Sequence, residues 1–568
     1  MCELIVYKGA DVLNALELEN FKAFGERARI EFAPITLIFG ENSAGKSSIL
    51  QALNLLKQTR ESREQGALLL PRAEGGIVEL GGYQEMVFDH DLKREIAIRL
   101  DFLPGAGIQR RLSLPKLGER SAEDSVGFEM RFARPSEDVE IQLKSLTLHS
   151  ALSGRIAQFE PVDLPTNELR EIVRESLPMI RSRRPMKVSD VRTAGCTWLT
   201  NDKTFWAEIF ERTKRRADKI ANELRQLQQE AQESSQQRML FKELVEGERI
   251  GAAKNDSAVA FYESDFSIED FVARMLPAEL KAVIGLDGFV PLPMRPRHQE
   301  TLPEFETFRK YGPTRLRMRD LTLDVSSFAV DCGRMLEAAL ENIYPMGPFR
   351  RPPERWYIFT GTSPQDVGYR GDLLPDLLFR RPELVEETNQ WLDRLEVGYH
   401  IKIQSVGERS RDLFEVRLID KRRGGDVAVA LSDVGFGISQ LLPFVVQSLA
   451  GEGQTITIEQ PEVHIHPRLQ ADLGDLLIST IQQPRSHRFI VETHSEHLIL
   501  RLLRRIRETS EGGLPAGHPG LRPEDVSVIY LERGKNGSRA HRLRIDETGE
   551  FVDRWPKGFF EERAKELF

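Results

Sequence analysis

Short apolar runs that end in polar residues recur near both ends of the chain and predict buried strands. The run at 35–39 is followed by a glycine turn and then by helical apolar spacing from Ser47 onward. Two later runs, at 454–459 and 488–492, each end in an acid. Because ligands bind beyond the carboxyl ends of strands in open α/β sheets, we expect these three strands to converge on one site.

The pattern changes between these runs. Alternation of apolar and polar residues at 94–102, 128–132 and 141–148 predicts an antiparallel sheet. The run at 205–248 is polar and helix-favouring but does not sustain three heptads, so we expect a short helical arm and not a long coiled coil. Strand alternation returns at 399–418.

These patterns predict an α/β fold in three parts. The first half of a mixed-sheet core, with its antiparallel β subdomain, is assigned to 1–160. A mainly helical insert is assigned to 161–325, and the second half of the core to 326–568.

Composition narrows the class of protein. The chain has 568 residues, of which 40% are hydrophobic and 29% charged, as is typical of a soluble globular protein. A net charge of −9 gives no overall attraction for nucleic acid. The sequence has no run near the ~20 apolar residues that a membrane span needs, and its cysteines lie far apart. We therefore expect a cytoplasmic protein with no membrane partner.

The turn after the first apolar run reads G-E-N-S-A-G-K-S, a phosphate-binding loop (P-loop) placed between a strand and a helix. Its glycines let backbone N–H groups turn toward an anion at the positive end of that helix. Lys46 can reach the outer phosphates, and the Ser47 hydroxyl can hold Mg²⁺. The sequence therefore predicts that the chain binds a nucleoside triphosphate. The predicted binding residues are Gly40, Glu41, Asn42, Ser43, Ala44, Gly45, Lys46, Ser47 and Ser48.

Three further segments suit the same site. Glu459 ends its strand where a Walker-B acid would hold Mg²⁺ through water. The next strand delivers Glu492, Thr493 and His494 to its carboxyl end. A Gly/Ser turn at 431–443 leads into an apolar helix, which is another N–H-rich helix start suited to a phosphate.

The order of these motifs resembles the heads of ABC-type ATPases of the SMC, RecF and OLD kind. Those heads carry a P-loop near the N-terminus, an inserted arm, and then signature, Walker-B, D-loop and switch-histidine motifs. The chain is also similar to stand-alone bacterial ATPases of uncharacterised or phage-defence role. The segments that carry this likeness are G-P-F-R-R-P-P-E-R, D-V-G-F-G-I-S-Q, E-Q-P-E-V-H-I-H-P, E-T-H-S-E-H and W-P-K-G-F-F.

The resemblance implies a head that dimerises around ATP, with the signature helix of one subunit facing the γ-phosphate held by the other. On that basis Gly437, Ser439 or Ser432 makes the contact across the dimer. His494 is then the switch residue, and Gln84 is either a Q-loop ligand of Mg²⁺ or a solvent-facing turn glutamine. The metal-binding residues expected from the resemblance are Ser47, Glu459 and Gln84.

Gln460 departs from the superfamily pattern, in which a second acid after the Walker-B acid serves as the general base. An amide orients water but cannot accept its proton. Hydrolysis is therefore expected to be slow, unless Glu462, Glu492 or His494 is the base. The catalytic residues expected on this basis are Glu459, Gln460, Glu462 and His494.

The sequence also leaves open a second metal site, DNA and a separate effector as partners. His464 and His466 fit the D-loop, but with Glu459 they are also compatible with a metal pair. Basic clusters at 181–187 and 501–507 are candidates for DNA phosphate contacts, although cations near a helix C-terminus explain the second cluster without DNA. No D-x-D pair follows the E-T-H-S-E-H segment, so any cleavage is expected from a separately encoded effector such as a nuclease.

Three functions follow from these observations. The leading one is an ATPase that dimerises on ATP and regulates an effector in anti-phage defence. The second is a RecF/SMC-like ATPase of DNA repair or recombination, which tight ATP-dependent DNA binding would favour. The third is an ATP-assembled scaffold without enzymatic activity.

Overall fold

The fold is given by a computed structural model that describes residues 12–62, 68–103, 125–136, 139–151, 154–162, 191–199, 205, 282–292, 318–359, 361–406, 412–423 and 427–555. Numbered along the chain, its strands are β1 (Val12–Glu19), β2 (Ala28–Glu31), β3 (Ile35–Gly40), β4 (Ile96–Leu103), β5 (Val126–Ala133), β6 (Gln142–Ser150), β7 (Gly154–Pro161), β8 (Val191–Trp198), β9 (Ala282–Asp287), β10 (Val290–Leu292), β11 (Ile343–Met346), β12 (Tyr357–Ile358), β13 (Tyr399–Ser405), β14 (Leu413–Asp420), β15 (Ala428–Ala430), β16 (Thr455–Glu459), β17 (Arg488–Glu492), β18 (Val526–Gly534) and β19 (Gly537–Leu543). Its helices are α1 (Lys46–Glu61), α2 (Tyr83–Met86), α3 (Met318–Glu341), α4 (Leu374–Arg380), α5 (Pro382–Arg394), α6 (Phe436–Leu449), α7 (Pro467–Ile481) and α8 (Glu496–Ser510).

A six-stranded sheet in the order β11-β16-β17-β3-β18-β19 organises the core. Its first five strands are parallel, and β19 returns antiparallel to β18 as a hairpin. Strands β3, β16 and β17 are buried along their whole length, because helices or a second sheet cover both faces. The three predicted strands therefore end at one edge, with β17 between the P-loop strand and the Glu459 strand.

Alternate residues of these strands face two different apolar cores. Ile38 and Ile490 pack in the core that contains α1 and the antiparallel sheet. Leu37 and Val491 pack in the core that contains α6, α7 and α8. The α/β class predicted from the sequence is confirmed.

A nine-stranded antiparallel sheet lies beside this core, in the order β10-β9-β8-β7-β6-β5-β4-β1-β2. Strands β4, β5 and β6 cover the three stretches whose alternation predicted it. Strands β8, β9 and β10 come from the segment that was predicted to be mainly helical. The run at 205–248, which was predicted to be helical, lies outside the described residues apart from Phe205, so the helical insert and the three-part division remain predictions.

A smaller sheet, β12-β14-β13 with β15 paired to β14, precedes the signature helix α6. Strand β14 alternates between buried and partly exposed residues, as the sequence at 399–418 predicted. Among the helices that the structure describes, none is both long and apolar enough to cross a membrane.

Candidate active site

A cleft of about 540 Å³ opens at the carboxyl ends of β3 and β17, and most of the predicted nucleotide residues lie in its wall. The predicted residues that line it are Asn42, Ser43, Gly45, Lys46, Ser47, Ser48, Gln460 and His494. Glu492, weighed as an alternative base, also lines it. The remaining wall residues carry no motif that the sequence pattern could identify; they are Lys22, Ala23, Glu85, Val87, Asp89 and His90.

The glycines of the P-loop are required by its backbone. Gly45 has φ of 86°, a left-handed conformation, and an added Cβ there would lie 2.5 Å from the Cβ of Ala23. Gly40 has φ of 148°, and its added Cβ would lie 2.5 Å from the carbonyl oxygen of Leu531. The loop therefore packs closely against Ala23 and Leu531, and neither position has room for a Cβ.

The Lys46 side chain is hydrogen-bonded to carbonyl groups of its own P-loop. Its Nζ donates hydrogen bonds to the carbonyl oxygens of Gly40 at 3.1 Å and Glu41 at 2.8 Å. Burial lowers the pKa of Lys46, whereas the charges of Glu492 and Glu462 raise it. The ammonium is thus held beside the cleft by neutral carbonyls that a phosphate can replace.

Ser47 and Glu492 form the pair of oxygens best placed to hold a metal. The Ser47 hydroxyl donates to Oε1 of Glu492 at 3.0 Å, and Oε2 of Glu492 is buried without a hydrogen-bond partner. Burial raises the pKa of Glu492. Mg²⁺ prefers oxygen ligands and is bound through one or two carboxylates together with substrate phosphates, so this donor set fits it.

Glu459 and Gln84 are the other two metal-binding residues that the resemblance implied. Glu459 ends β16, which is separated from the P-loop strand β3 by β17, and it accepts a hydrogen bond from the Tyr369 hydroxyl at 3.2 Å. Gln84 is exposed, its carbonyl oxygen lies 2.7 Å from Nδ1 of His90, and its side chain does not line the cleft. Metal binding by Gln84, and by Glu459 through water, remains a prediction.

Glu459 is buried among other charges. Burial raises its pKa to about 7, and the neighbouring Glu492 acts in the same direction. The Tyr369 hydrogen bond and the charge of Arg350 oppose this shift. The pKa of this carboxyl group at the end of a parallel strand therefore lies near neutral pH.

Glu462 connects two strand ends and does not line the cleft. Its Oε2 accepts from the Thr493 hydroxyl at 2.8 Å, and its Oε1 accepts from the backbone N–H of His494 at 2.6 Å. Both oxygens are thus committed to the turn that follows β17. This arrangement argues against Glu462 as the general base and assigns it to holding His494.

Gln460 and His494 are the expected catalytic residues that reach the cleft. Gln460 has φ of 47°, an uncommon conformation for a residue with a Cβ, and its N–H donates to the Glu492 carbonyl at 2.8 Å. Burial lowers the pKa of His494, and the charge of Lys46 acts in the same direction. An amide and an imidazole with a lowered pKa therefore line the same cleft as Lys46 and Ser47.

The residues predicted to form the signature motif do not line the cleft of their own chain. An added Cβ on Gly437 would lie 2.9 Å from the carbonyl oxygen of His464, so the start of α6 packs on the turn that contains His464. Ser439 is only 7% exposed, whereas Ser432 is half-buried. Contact across a dimer by Gly437, Ser439 or Ser432 remains a prediction.

The alternative metal pair receives no support. The His466 side chain accepts from the Arg468 N–H at 3.3 Å and caps helix α7. In the described part of the chain, no group of three or more His, Cys, Asp or Glu side chains is arranged to hold a metal ion. The D-loop interpretation of His464 and His466 is the simpler one.

The basic cluster on α8 is used within the chain. Arg501 forms an ion pair with Asp475, and Arg505 pairs with both Asp475 and Glu508. The ion pairs with Asp475 join α8 to α7, so the structure gives no support for DNA contact by these arginines. The cluster at 181–187 lies outside the described residues.

Comparison with known proteins agrees with the P-loop assignment. Residues 12–150 and 382–499 match a family model described as an AAA ATPase domain. Residues 521–568 match a model described as a protein of unknown function (DUF3696). A search of curated proteins finds no significant match. Together with the cleft, the first match supports an ATPase of the AAA class.

Among solved structures, the chain is similar to Smc head domains. The Smc head from Pyrococcus furiosus, bound to the C-terminal domain of ScpA, is 13% identical, with 98% of each chain covered and a TM-score of 0.34. The Pyrococcus yayanosii head is 12% identical, with 98% of this chain and 100% of that chain covered and a TM-score of 0.35. The Thermotoga maritima head is 10% identical, with 94% and 100% covered and a TM-score of 0.33. TM-scores of this size do not establish a shared fold, so the fold rests on the strand order and site described above.

Proposed function

We propose that this protein binds ATP with Mg²⁺, hydrolyses it slowly, and dimerises on ATP to regulate a separate effector protein in anti-phage defence. The observation that carries this proposal is the cleft in which Lys46, Ser47 and Glu492 meet, with Gln460 in its wall.

Substrate binding follows from the P-loop geometry. The triphosphate occupies the N–H groups of the loop, and Lys46 exchanges the Gly40 and Glu41 carbonyl oxygens for the outer phosphates. Ser47 and Glu492 would hold Mg²⁺ through the hydroxyl and the carboxylate oxygens. The metal, when bound, neutralises charge on the β- and γ-phosphate oxygens.

Slow turnover follows from the groups that face the γ-phosphate. Gln460 orients a water without accepting its proton, and Glu462 is occupied by Thr493 and the His494 N–H. His494 then orients the γ-phosphate or the water from the other side. The long-lived state of the protein is therefore the ATP-bound one.

Dimerisation is supported by where the signature helix lies. Gly437 is partly exposed and does not line the cleft of its own chain, so the proposal assigns it to the contact with a second copy. A second copy that presents this helix start to the γ-phosphate supplies N–H donors there.

The effector and the anti-phage role rest on the motif segments alone. Five segments of the chain resemble those of stand-alone bacterial ATPases of uncharacterised or phage-defence role. A regulatory ATPase that acts on a separate effector accounts for this resemblance.

The test has two measurements. Calorimetry measures the binding of ATP with Mg²⁺, and the mass of the protein in solution is measured with and without ATP. Wild type is expected to bind and to double its mass. Lys46→Ala should weaken binding by about a hundredfold or more, because it removes the cation that meets the outer phosphates. Lys402→Ala, at an exposed position on β13, is the matched control and should behave as wild type. Equal ATP binding by wild type and Lys46→Ala would contradict the proposal.

A further inference from the structure

Lys22 lies in the wall of the cleft, at the tip of the turn that joins β1 to β2. The turn is fixed at its base, because Phe21 and Phe24 exchange a pair of backbone hydrogen bonds of 2.9 Å and are both fully buried. The N–H of Lys22 donates to the Met86 carbonyl oxygen at 2.7 Å. The fold therefore fixes the backbone that carries the Lys22 side chain.

The Lys22 ammonium is a cation without a counter-charge. The residue is half-buried, and its Nζ forms neither a hydrogen bond nor an ion pair with any residue that the structure describes. Two acids of the same wall have other partners: Glu85 accepts the N–H of Gly82 at 2.7 Å, and Glu492 accepts the Ser47 hydroxyl at 3.0 Å. Burial lowers the pKa of Lys22. A partly desolvated cation beside a phosphate-binding loop is suited to an anion that enters the cleft.

The backbone of Lys22 has a conformation that is uncommon for a residue with a Cβ. Its φ is 49°, in the left-handed region that favours glycine. In the described part of the chain, nine residues other than glycine have a positive φ, and five of these line the cleft, namely Lys22, Ser43, Asp89, His90 and Gln460. Because such conformations are costly and concentrate at functional sites, a lysine kept at this position indicates that its side chain is needed there.

The turn places Lys22 beside the end of the P-loop that opens α1. An added Cβ on Gly45 would lie 2.5 Å from the Cβ of Ala23, so the residue next to Lys22 packs directly on the last glycine of the loop. Lys46, by contrast, donates to carbonyl groups at the start of the loop. In a P-loop the backbone N–H groups hold the α- and β-phosphates, whereas the loop lysine reaches the β- and γ-phosphates. The position of Lys22 therefore corresponds to the inner phosphates.

We propose that Lys22 is a second phosphate-binding cation of this cleft: its ammonium contacts the inner phosphates of the bound nucleotide, while Lys46 meets the outer ones. The inference rests on the proposed function, because it assigns a further contact within the same ATP site. It also states which nucleotides use the contact. Since ADP keeps the α- and β-phosphates, Lys22 serves ADP and ATP alike.

The first test measures the Kd of ATP and of ADP, each with Mg²⁺, by calorimetry on the full-length protein. Lys22→Gln should weaken the binding of both nucleotides about tenfold, because it removes one charge-assisted contact. The two losses should agree within about twofold, because both nucleotides carry the inner phosphates. Lys22→Arg keeps the charge and should bind both nucleotides within about threefold of wild type.

Lys402→Gln is the matched control, since Lys402 is exposed on β13 and does not line the cleft. It should bind both nucleotides as wild type does. Unchanged affinity of Lys22→Gln for both nucleotides overturns the proposal. A loss confined to ATP also overturns it, because the contact would then be with the γ-phosphate.

The second test separates nucleotide binding from the structure of the turn. Lys22→Gly removes the cation at a position whose φ suits glycine, so the nucleotide-free variant should melt no lower than Lys22→Gln. Its affinity for ATP and ADP should nevertheless fall about tenfold, as in Lys22→Gln. If both variants fail to fold, or both melt well below wild type, Lys22 serves the turn itself and the proposal is overturned.

The two proposals fail in different ways. If wild type binds neither nucleotide, the proposed function is refuted, and the assignment of Lys22 with it. If wild type binds ATP and Lys22→Gln binds it equally well, the ATP site stands and only the assignment of Lys22 is refuted.

Discussion

Buried acids occur at both sheets, but their partners differ. On the antiparallel sheet, Glu129 is 2% exposed and accepts hydrogen bonds from Arg27 at 2.8 Å and Arg131 at 2.9 Å, with His149 at 3.2 Å. These partners outweigh burial and hold the pKa of Glu129 well below its usual range. Neighbouring Asp101 is likewise paired, with Arg29 and Arg99.

At the carboxyl edge of the parallel sheet, the acids face one another. Burial raises the pKa of Glu459, Glu462 and Glu492, and Glu492 also raises that of Glu459. A protein selected for stability alone would pair or remove such charges. The difference shows that the antiparallel sheet uses its charges to hold its strands together, whereas the parallel edge keeps an excess of acid for ligands.

The largest effect is expected from Glu492→Gln. This change removes the carboxylate beside Ser47 while keeping its shape, so turnover should fall about a hundredfold, or about 2.7 kcal/mol. Thermal stability should be equal to that of wild type or higher, because a buried charge without an arginine partner is removed. Steady-state ATPase rates and thermal unfolding check both parts, with exposed Glu74→Gln as the control. A marked loss of stability in Glu492→Gln would mean that the two sheets do not differ in this way.

The opposite pattern is expected from Glu129→Gln. Stability at pH 7 should fall by about 2 kcal/mol, a figure reduced for the partial exposure of the two arginines, and ATP affinity should not change.

The Glu129 effect should also depend on pH. The folded pKa of Glu129 is depressed, so the unfolded chain binds the proton more readily and stability rises with pH in this range. The contribution is therefore present above the ordinary value of 4.5 and is lost as pH falls through the folded pKa. Denaturant unfolding of wild type and Glu129→Gln should give curves that converge in acid. A constant difference across pH would refute the charge pairing.

Local patterns were sufficient to predict the strands, the P-loop and the residues at the strand ends. Ser47, Gln460 and His494 line one cleft, and each lies next to an element whose apolar run is easy to recognise. The pairing of Ser47 with Glu492 could not be predicted, since it depends on β17 lying between β3 and β16 in space.

Site residues that lie outside any recognisable sequence motif could not be placed from the sequence. Tyr369 lies in a loop and reaches Glu459 only because that loop is hydrogen-bonded to the segment after β11. Gln84 was chosen from its turn context, but its neighbour Glu85 faces the cleft instead. Arg350 was noted from its rigid basic segment, and only the fold shows that it points inward while Arg355 remains at the surface.

The central claim is that an amide at Gln460 keeps an otherwise complete ATP site slow, and the steady-state ATPase rate of Gln460→Glu tests it most directly. The rate of Lys46→Ala, whose ATP binding is weakened, serves as the background rate. Above it, wild type should turn over slowly and Gln460→Glu about tenfold faster or more, because the new carboxylate accepts the proton of the attacking water. A rate for Gln460→Glu equal to or below that of wild type would contradict the account and assign the general base to another residue.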